Sequence, residues 1–400
     1  MHPTPPRSPA GLIGALAACG FASTFAGRAV EPLVAVIARD LGSDARTIAL
    51  LSTAYALPYA LIQPILGPVG DALGKARIMR LCLVVLAVAL FASALAPGEG
   101  TLFGLRVVSG AAAGGVIPLA LAMIGDRVEM AGRQVAISRF IVAVILGQLA
   151  GSTLAGLVGG AVGWRGVLAL SGLLALVGCA MTLLGLRGRA AVSPFSFSGA
   201  LRTYQGILSL PLARALFAFV FLEAVAIFGI FPYVAPLLEA RGEGGAFEAG
   251  LALGGFALGG LAYTASVAWM LRRLGLGRML AAGGFAAAAA LLGLSLAGSW
   301  QLDAAAMALL GLGFYMLHNS YQTQVTEVAP AARASAVALH AFSFFCGQAL
   351  GVALVGAALG GLGQAGTLAI CAALIAAVGW VSAAVIAGRE ARPARPEPPA

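Results

Sequence analysis

Residues 77–97 read RIMRLCLVVLAVALFASALAP, and no charged residue follows Arg80 until Glu99. A helix needs about 20 mostly apolar residues to cross the hydrocarbon core of a membrane, and this stretch has that length. The whole 400-residue chain is alike, since 60% of it is hydrophobic and 10% is charged. A soluble domain carries about 25% charged residues. The sequence therefore predicts a polytopic membrane protein and excludes a soluble enzyme, a disordered protein and a nucleic-acid-binding protein.

Twelve such apolar runs follow one another along the chain. They lie near residues 11–38, 46–66, 77–97, 101–124, 135–160, 163–186, 213–238, 246–271, 278–299, 302–326, 332–358 and 364–387. Continuous runs exclude the alternating strands of a β-barrel. The first run follows Arg7 as a signal peptide would, but it continues to Asp40 and is expected to be retained. The predicted fold class is an all-α membrane protein with 12 transmembrane helices.

The basic residues predict the orientation. With the N-terminus in the cytoplasm, 18 Lys and Arg residues fall in cytoplasmic segments and four fall outside. The four are Arg39, Arg46, Arg165 and Arg241. Such a bias is typical of the cytoplasmic side of a membrane protein. The abundant Ala, Gly and Arg with a single Lys indicate a GC-rich genome. We therefore expect a bacterial inner membrane protein with both termini in the cytoplasm.

The chain divides into two similar parts. The longest polar interruption splits the runs six and six, which predicts an N-terminal bundle (1–190), a cytoplasmic linker (191–212) and a C-terminal bundle (213–400). EPLVAV (31–36) aligns with FPYVAP (231–236) at an offset of 200. Gly110 and Asp126 match Gly311 and Glu327 at an offset of 201. These matches predict two pseudo-symmetric six-helix bundles, a device of many transporters.

Polar residues are shared unevenly among the runs. The third, sixth, ninth and twelfth have no charged residue or His in their interiors. The other runs, except the eighth, carry at least one charged or amide side chain there. Because polar groups inside a membrane usually face an aqueous cavity, every third helix is expected at the periphery and the rest around a central cavity.

The loop after the second run carries a recognisable pattern. It reads GPVGDALGKAR (67–77) and resembles the signature loop of the major facilitator superfamily, G-x3-D-[RK]-x-G-[RK]. The predicted gating-loop residues are Gly67, Asp71, Gly74, Lys75 and Arg77. Ala72 stands where the family has a basic residue. The resemblance covers essentially the whole chain and implies alternating access by the two bundles.

Two further elements are similar to patterns of this superfamily. RVVSG (106–110) resembles R-x3-G, whose arginine is implicated in proton movement in proton-coupled members. Alternatively, Arg106 reaches the nearby membrane edge. GQLAGSTLAG (147–156) resembles an eroded antiporter element in which Gly147, Gly151 and Gly156 are candidate helix-packing residues. Ser152 and Ala155 depart from that element, and ordinary packing of small residues explains it equally well.

Two acids are candidates for proton coupling. Glu223 lies about ten residues into the seventh run, roughly 15 Å deep at 1.5 Å per residue. A midplane acid of this kind either exchanges protons or pairs with an arginine from another helix. Glu31 lies one turn from Arg28, so the two can pair on one face of the first helix. That pair either is structural or lines the outer part of the cavity. Because it lies nearly a helix length from residue 11, it is expected to see water, which favours the structural role.

Further polar residues are expected to line the cavity. Tyr315, His318, Asn319 and Gln322 form one stripe of the tenth run, with His318 a further proton-carrying candidate. The other cavity candidates are Arg28, Tyr55, Tyr59, Gln63, Gln148, Tyr233 and Gln348. His340 is expected near the cytoplasmic entrance. Hydrogen bonding between helices is the alternative role for such residues.

The leading hypothesis is a secondary transporter that expels a small organic compound in exchange for protons. The alternatives are an importer of a small metabolite and a membrane sensor that transports nothing. No nucleotide-binding, zinc or hydrolase motif occurs in the sequence, so no enzyme activity, metal or cofactor is expected beyond the proton gradient. The expected partners are lipid, the substrate and protons, without nucleic acid, and the chain is expected to be a monomer.

Overall fold

The computed structural model describes residues 9–185, 197–296 and 298–390, and the secondary structure of these residues is helical. The helices are α1 (Pro9–Arg28), α2 (Val34–Leu41), α3 (Ala45–Leu73), α4 (Lys75–Ala94), α5 (Glu99–Ala113), α6 (Val116–Arg127), α7 (Met130–Gly185), α8 (Phe197–Ser209), α9 (Pro211–Phe228), α10 (Val234–Arg241), α11 (Ala246–Leu296), α12 (Trp300–Val328) and α13 (Arg333–Glu390). A helix satisfies its own backbone hydrogen bonds, whereas lipid offers no partners to backbone groups that are left unpaired. The all-α fold class is confirmed.

Nine segments of the described residues are long and apolar enough to cross a membrane. Three of them, in α7, α11 and α13, are 51 or 52 residues long, which is enough for two crossings each. Each is interrupted by a glycine with φ near 70°: Gly163, Gly275 and Gly363. Because that conformation strains other residues, glycine permits a sharp turn here. Counting each long segment as two spans fits the predicted twelve.

The contacts of α7 show that the chain reverses at Gly163. Successive contacts pair Gly147 with Phe21, Gly151 with Phe25, Gly178 with Cys19, and Gly185 with Ala15. Before the turn the residue numbers rise together with those of α1, and after it they run in opposite directions. Residues 130–162 therefore lie parallel to α1, and residues 164–185 lie antiparallel to it.

The first span of each half is a broken helix. α1 ends at Arg28, a 3-10 turn covers Glu31–Leu33, and α2 follows. α9, the turn Phe231–Tyr233 and α10 repeat this arrangement at an offset of 200. A proline lies inside each turn, at Pro32 and Pro232. Since proline has no N–H to donate, the helix cannot continue regularly through it, and carbonyl groups near the end of α1 are left available.

The repeat detected in the sequence recurs in the local backbone. Equivalent residues with the same role are Gly42 and Gly242, Gly110 and Gly311, Gly147 and Gly347, Gly151 and Gly351, and Gly163 and Gly363. Gly110 lies against the backbone of Tyr55, and Gly311 lies against that of Phe256. The halves thus repeat both their turns and their closest helix contacts. α8 falls in the predicted linker, whose residues 191–196 lie outside the described part; the exact boundaries of the bundles stay a prediction.

Two ends of the molecule can be distinguished. We call the end that carries α2 and α10 the distal end, and the opposite end, where α6 and α12 finish, the proximal end. α12 begins at the distal end, because Arg241 of α10 pairs with Asp303. The halves meet at the distal end, where Arg39 pairs with Glu239 and Gly156 lies against Gly250.

Four helical segments carry large hydrophobic side chains on an exposed face: α4, 164–185, 276–296 and 364–386. Their exposed residues include Leu81, Val88, Leu173, Leu184, Phe285, Leu292, Ile370 and Trp380. These are the third, sixth, ninth and twelfth spans of the predicted count. An apolar exposed face is what a helix needs against lipid. Other spans also expose large hydrophobic side chains, such as Leu61, Val142, Leu258 and Leu354, so the peripheral position of every third helix stays a prediction.

Candidate functional site

A carboxylate and a histidine meet inside the C-terminal half. Glu223, in the middle of α9, is fully buried, and its Oε2 lies 3.0 Å from Nδ1 of His318 on α12. Its Oε1 has no hydrogen-bond partner among the described residues. The partner of this acid in the structure is therefore an imidazole, rather than the arginine that the sequence analysis considered. Both groups can carry the same proton.

His340 of α13 extends this pair. Its ring centroid lies 5.1 Å from that of His318, and the side chain is 2% exposed. Neither ring nitrogen of His340 has a hydrogen-bond partner among the described residues. Phe314 and Phe344 pack on the His318 ring at 4.8 Å and 5.0 Å between centroids. Glu223, His318 and His340 form a cluster, which we call the acid–histidine cluster, within aromatic walls.

The sequence predicted His340 near the cytoplasmic entrance and did not single it out as a site residue. One signal was present, because His340, Phe344 and Gln348 recur every four residues and so share one face of α13. Gln348 is also buried, and its amide oxygen has no partner among the described residues. A face with two buried polar side chains would have pointed to the cavity.

The N-terminal half holds a different network. Arg28 Nη1 and Glu31 Oε1 are 2.7 Å apart across the break after α1. The predicted pair is present, but both side chains are buried, so the expectation that they see water is wrong. Opposite charges that are paired and hydrogen-bonded can be kept inside a protein. The pair therefore belongs to the interior of the molecule.

Arg106 is also part of this network. Its side chain is fully buried and does not extend to the membrane edge. Nη1 donates to the carbonyl oxygen of Ala26 at 3.1 Å, near the end of α1, and the guanidinium lies 4.3 Å from the Tyr55 ring centroid. The C-terminal end of a helix carries a partial negative charge that favours a cation. Arg106 thus binds the end of the broken helix.

A crevice lies between the halves beside these networks. Its lining includes Arg28, Gln148, Ser152, Phe228, Phe231, Phe256 and Tyr315. The Arg28 guanidinium lies 4.5 Å from the ring centroid of Phe228 and 5.4 Å from that of Phe231. Such cation–π contacts stabilise a cation in an aromatic environment. The predicted cavity residues Arg28, Gln148 and Tyr315 are thus brought together from three different helices.

The remaining predicted cavity residues are distributed around this crevice. Tyr55 donates to the Ser23 carbonyl at 3.1 Å, and Tyr233 donates to the Val352 carbonyl at 2.9 Å. Tyr59 contacts Phe345 of the other half, with 4.2 Å between centroids. The first two hydroxyls are engaged in bonds between helices, which agrees with the alternative role considered for such residues.

Three of the amide candidates differ in exposure. Gln63 is buried, Asn319 is partly exposed and Gln322 is exposed. Since α12 finishes at the proximal end, its stripe runs from the crevice at Tyr315 outward to Gln322. The predicted stripe therefore connects the interior with the proximal end.

The predicted gating loop forms a tight turn. Gly74 ends α3 with φ 94° and α4 begins at Lys75 and continues through Arg77. Lys75 Nζ lies 2.6 Å from Asp126 Oδ2, which joins this turn to the end of α6. Gly67 and the side chain of Asp71 lie outside the described part. The loop is thus fastened by an ion pair within its own half.

The antiporter-like glycines lie at close helix contacts. Gly147 and Gly151 touch the backbone of α1, and Gly156 touches the backbone of α11 across the halves. Gly347 and Gly351 make the same contacts with α9 in the other half. Because the repeat shares the first two contacts, close helix packing explains Gly147 and Gly151 without an antiporter-specific role.

Known proteins are similar to this chain. The family described as Major Facilitator Superfamily matches residues 16–352. The MFS-type transporter YwfA of Bacillus subtilis is 29% identical over 136 residues, which cover 34% of this chain and 33% of YwfA. The quinolone resistance protein NorA of Staphylococcus aureus is 34% identical over 97 residues, covering 24% of this chain and 25% of NorA. The chain matches only a third or a quarter of these relatives' lengths.

Solved structures share the fold at low sequence identity. The nucleoside transporter NupG has a TM-score of 0.77 at 16% identity, covering 94% of this chain and 99% of NupG. A POT family transporter has a TM-score of 0.78 at 14% identity, covering 95% of this chain and 96% of its own. The family match spans most of the chain, and its fold is that of these transporters. The chain therefore belongs to the major facilitator superfamily.

Proposed function

We propose that this transporter expels a small organic compound in exchange for protons. The observation that carries the proposal is the position of Glu223, a fully buried acid in the middle of a membrane helix, 3.0 Å from His318. Ionisable residues inside membranes are rare because they are costly, and they usually mark ion or substrate pathways. Glu223 can bind a proton on either oxygen, because Oε2 lies next to His318 and Oε1 has no partner among the described residues.

The coupling follows from competition for this acid. With a proton bound, Glu223 is neutral and compatible with its dry surroundings. Without it, the charge needs a compensating group, which a substrate bound in the adjoining aromatic crevice supplies. The site therefore holds either a proton or the substrate as the bundles rock, and the proton gradient drives expulsion without a further cofactor.

Efflux is the direction that we favour. NorA is named a quinolone resistance protein, and its similarity covers 24% of this chain. An importer would carry protons and substrate in the same direction, and a sensor would carry neither. The sign of the proton movement that accompanies the substrate separates all three.

We further propose that the chain is a monomer of a bacterial inner membrane with its proximal end in the cytoplasm. The distribution of 18 basic residues against four supports this orientation. YwfA and NorA are bacterial proteins. Both chain termini are then cytoplasmic, and the Arg39–Glu239 contact lies on the outer side.

Inverted membrane vesicles test the function. The vesicles are energised to an acidic lumen, a quinolone is added, and a pH-sensitive dye in the lumen reports proton release. Antiport predicts that addition of the quinolone makes the lumen less acidic. We expect Glu223→Gln to reduce this response by about 100-fold or more, because a proton-carrying group is lost.

Glu99→Gln is the matched control, because Glu99 is an exposed acid at the start of α5. It should leave the response unchanged. A lumen that becomes more acidic with the quinolone would indicate symport. Quinolone-dependent proton release that persists in Glu223→Gln would contradict coupling at this acid.

A further inference from the structure

The three groups of the acid–histidine cluster lie at increasing depth from the proximal end. His340 follows the start of α13 by seven residues, about 10 Å at 1.5 Å per residue. His318 precedes the end of α12 by ten residues, about 15 Å. Glu223 follows the start of α9 by twelve residues, about 18 Å. The two histidines therefore lie between the acid and the proximal face.

The neighbouring members of this series are in contact. Glu223 Oε2 and His318 Nδ1 are 3.0 Å apart, which is hydrogen-bond distance. The His318 and His340 rings are 5.1 Å apart between centroids and tilted by 49°. A rotation of the His340 ring or one bridging water completes the contact between their nitrogens. A proton can thus pass along three groups from three different helices.

His340 is kept available in a dry environment. Both of its nitrogens lack hydrogen-bond partners among the described residues, although the side chain is 2% exposed. A buried polar group without a partner destabilises the fold and calls for an explanation. The titratable group that faces it is His318 of α12, and Glu223 of α9 lies beyond His318. On α13 the preceding charged residue is Arg333, two turns away.

We propose that His340 is a proton-transfer residue that connects Glu223 with the proximal face of the membrane. The proposal rests on the proposed function and adds the path by which its proton arrives and leaves. On release, the Glu223 O–H bond breaks and the proton binds His318 Nδ1. The Nε2 proton of His318 then passes to His340. One proton leaves the acid and one arrives at His340, and His318 is left neutral with its proton on Nδ1. The next proton taken up passes from His340 to Nε2 of His318 while the Nδ1 proton returns to Glu223, which restores the starting arrangement.

The path from the relay to the surface is short. One turn after His318, α12 becomes exposed at Gln322 and Thr323. A polar exposed surface therefore lies within one helical turn of the relay.

Proton uptake by the purified full-length protein tests the relay without a substrate. A rapid drop in pH is followed with the dye pyranine, which reports how fast and how many protons the protein binds. Glu223→Gln should remove one proton from the uptake. His340→Gln should keep the number of protons and slow their binding by about 10-fold or more, since general acid–base groups contribute at least that much.

Two further variants separate transfer from structure. His340→Ala leaves space for an imidazole molecule, and added imidazole should restore the rate in this variant and not in Glu223→Gln. His2→Gln, which removes the third histidine of the chain, should bind protons at the normal rate. Circular dichroism verifies that each variant is folded.

Uptake by His340→Gln at the normal rate would overturn the relay while leaving the proposed function intact. The relay is equally overturned if His340→Ala binds protons slowly but does not respond to imidazole. If Glu223→Gln binds as many protons as the unmodified protein, the proposed function itself is contradicted. The two failures are thus distinguishable.

Discussion

The two halves have the same backbone and different chemistry. Their turns and closest glycine contacts coincide at offsets of 200 or 201, and so do the pairs Asp126/Glu327 and Arg133/Arg333, but the ionisable groups inside the spans do not. The equivalent pairs are Arg28 and Phe228, Glu31 and Phe231, Arg106 and Met307, Ser23 and Glu223, Ile117 and His318, and Phe140 and His340. Each polar group of one half has a residue without a formal charge, mostly apolar, at its place in the other. The two halves thus repeat the same backbone arrangement, but each has its own ionisable groups.

The difference also concerns how the charges are compensated. In the N-terminal half, Arg28 pairs with Glu31, and Arg106 donates to a carbonyl group at the end of α1. In the C-terminal half, Glu223 has a histidine beside it, and the nitrogens of His340 lack partners among the described residues. Buried atoms without a partner among the described residues occur in both halves, Glu31 Oε2 and Arg106 Nη2 as well as Glu223 Oε1, so the two networks differ in charge rather than in free atoms. Glu31 has a guanidinium beside it and keeps its charge, whereas Glu223 has only an imidazole beside it and can exchange a proton with it. We therefore assign a structural role to the N-terminal network and proton exchange to the acid–histidine cluster.

The largest effect is expected when the N-terminal half receives the residue of its counterpart. Arg106→Met places at this position the residue found at 307. The carbonyl of Ala26 then loses its charged donor, and that of Leu51 loses a weaker contact at 3.5 Å. Since bonds to charged groups contribute about 1.5–3 kcal/mol, the free energy of unfolding should fall by about 3 kcal/mol. Denaturant unfolding in detergent micelles, followed by circular dichroism, measures it.

Met307→Leu is the control at the equivalent buried position, and a swap of similar volume should cost less than about 1.5 kcal/mol. If Arg106→Met is as stable as the unmodified protein but no longer couples transport to protons, the division of roles is wrong. Arg106 would then take part in proton movement, as the superfamily resemblance implies.

A smaller effect should be equal in the two halves. Gly110→Ala and Gly311→Ala each place a Cβ against a backbone carbonyl, of Tyr55 and of Phe256. Overpacking of this kind costs about 1–3 kcal/mol. The two variants should lose similar free energies of unfolding, because the scaffold is the repeated part.

Gly104→Ala is the control for this pair. Gly104 lies on the same helix as Gly110, is exposed, and has open space where a Cβ would stand. Its substitution should leave stability unchanged or slightly raised, because alanine favours helix. A large loss at Gly110 with none at Gly311 would mean that the halves do not share their packing.

The sequence was sufficient for the scaffold because each of its features is local. Runs of apolar residues define spans by length, and a proline at 32 or a glycine at 163 acts within its own turn. The repeat then follows from comparing two such series. None of these features depends on how one helix is rotated against another.

The functional site does depend on how the helices are rotated against one another. Glu223 and His318 are separated by 95 residues, and only the packing of α9 against α12 brings them together. The membrane edge was an alternative position for Arg106 because this residue lies five positions after the start of its own run at 101. The break at Pro32 creates acceptors inside the molecule, and the guanidinium turns to them. Helical spacing gives the face of a residue but not its partner.

The smallest expected effect concerns the contact between equivalent positions. Arg39 and Glu239 are 200 residues apart and form an ion pair across the halves at the distal end. Residues related by a two-fold axis can meet only near that axis, so this pair marks it. The Arg39 side chain is 62% exposed. An exposed pair contributes only about 0.2–1 kcal/mol, so closure of the distal end should depend on it weakly.

Glu239→Lys places two cations at this contact and should shift the closed population by up to about 5-fold, as 1 kcal/mol corresponds to that ratio. The distance between spin labels at Leu41 and Ala240 reports the shift in a variant whose cysteines are replaced. Adding Arg39→Glu should restore closure, because the ion pair then exists with its charges exchanged.

Asp40→Asn weakens a pair with Arg165 inside one half and should leave the distance unchanged. An equal shift in Asp40→Asn would mean that closure responds to the overall charge of the distal end, not to contact across the axis.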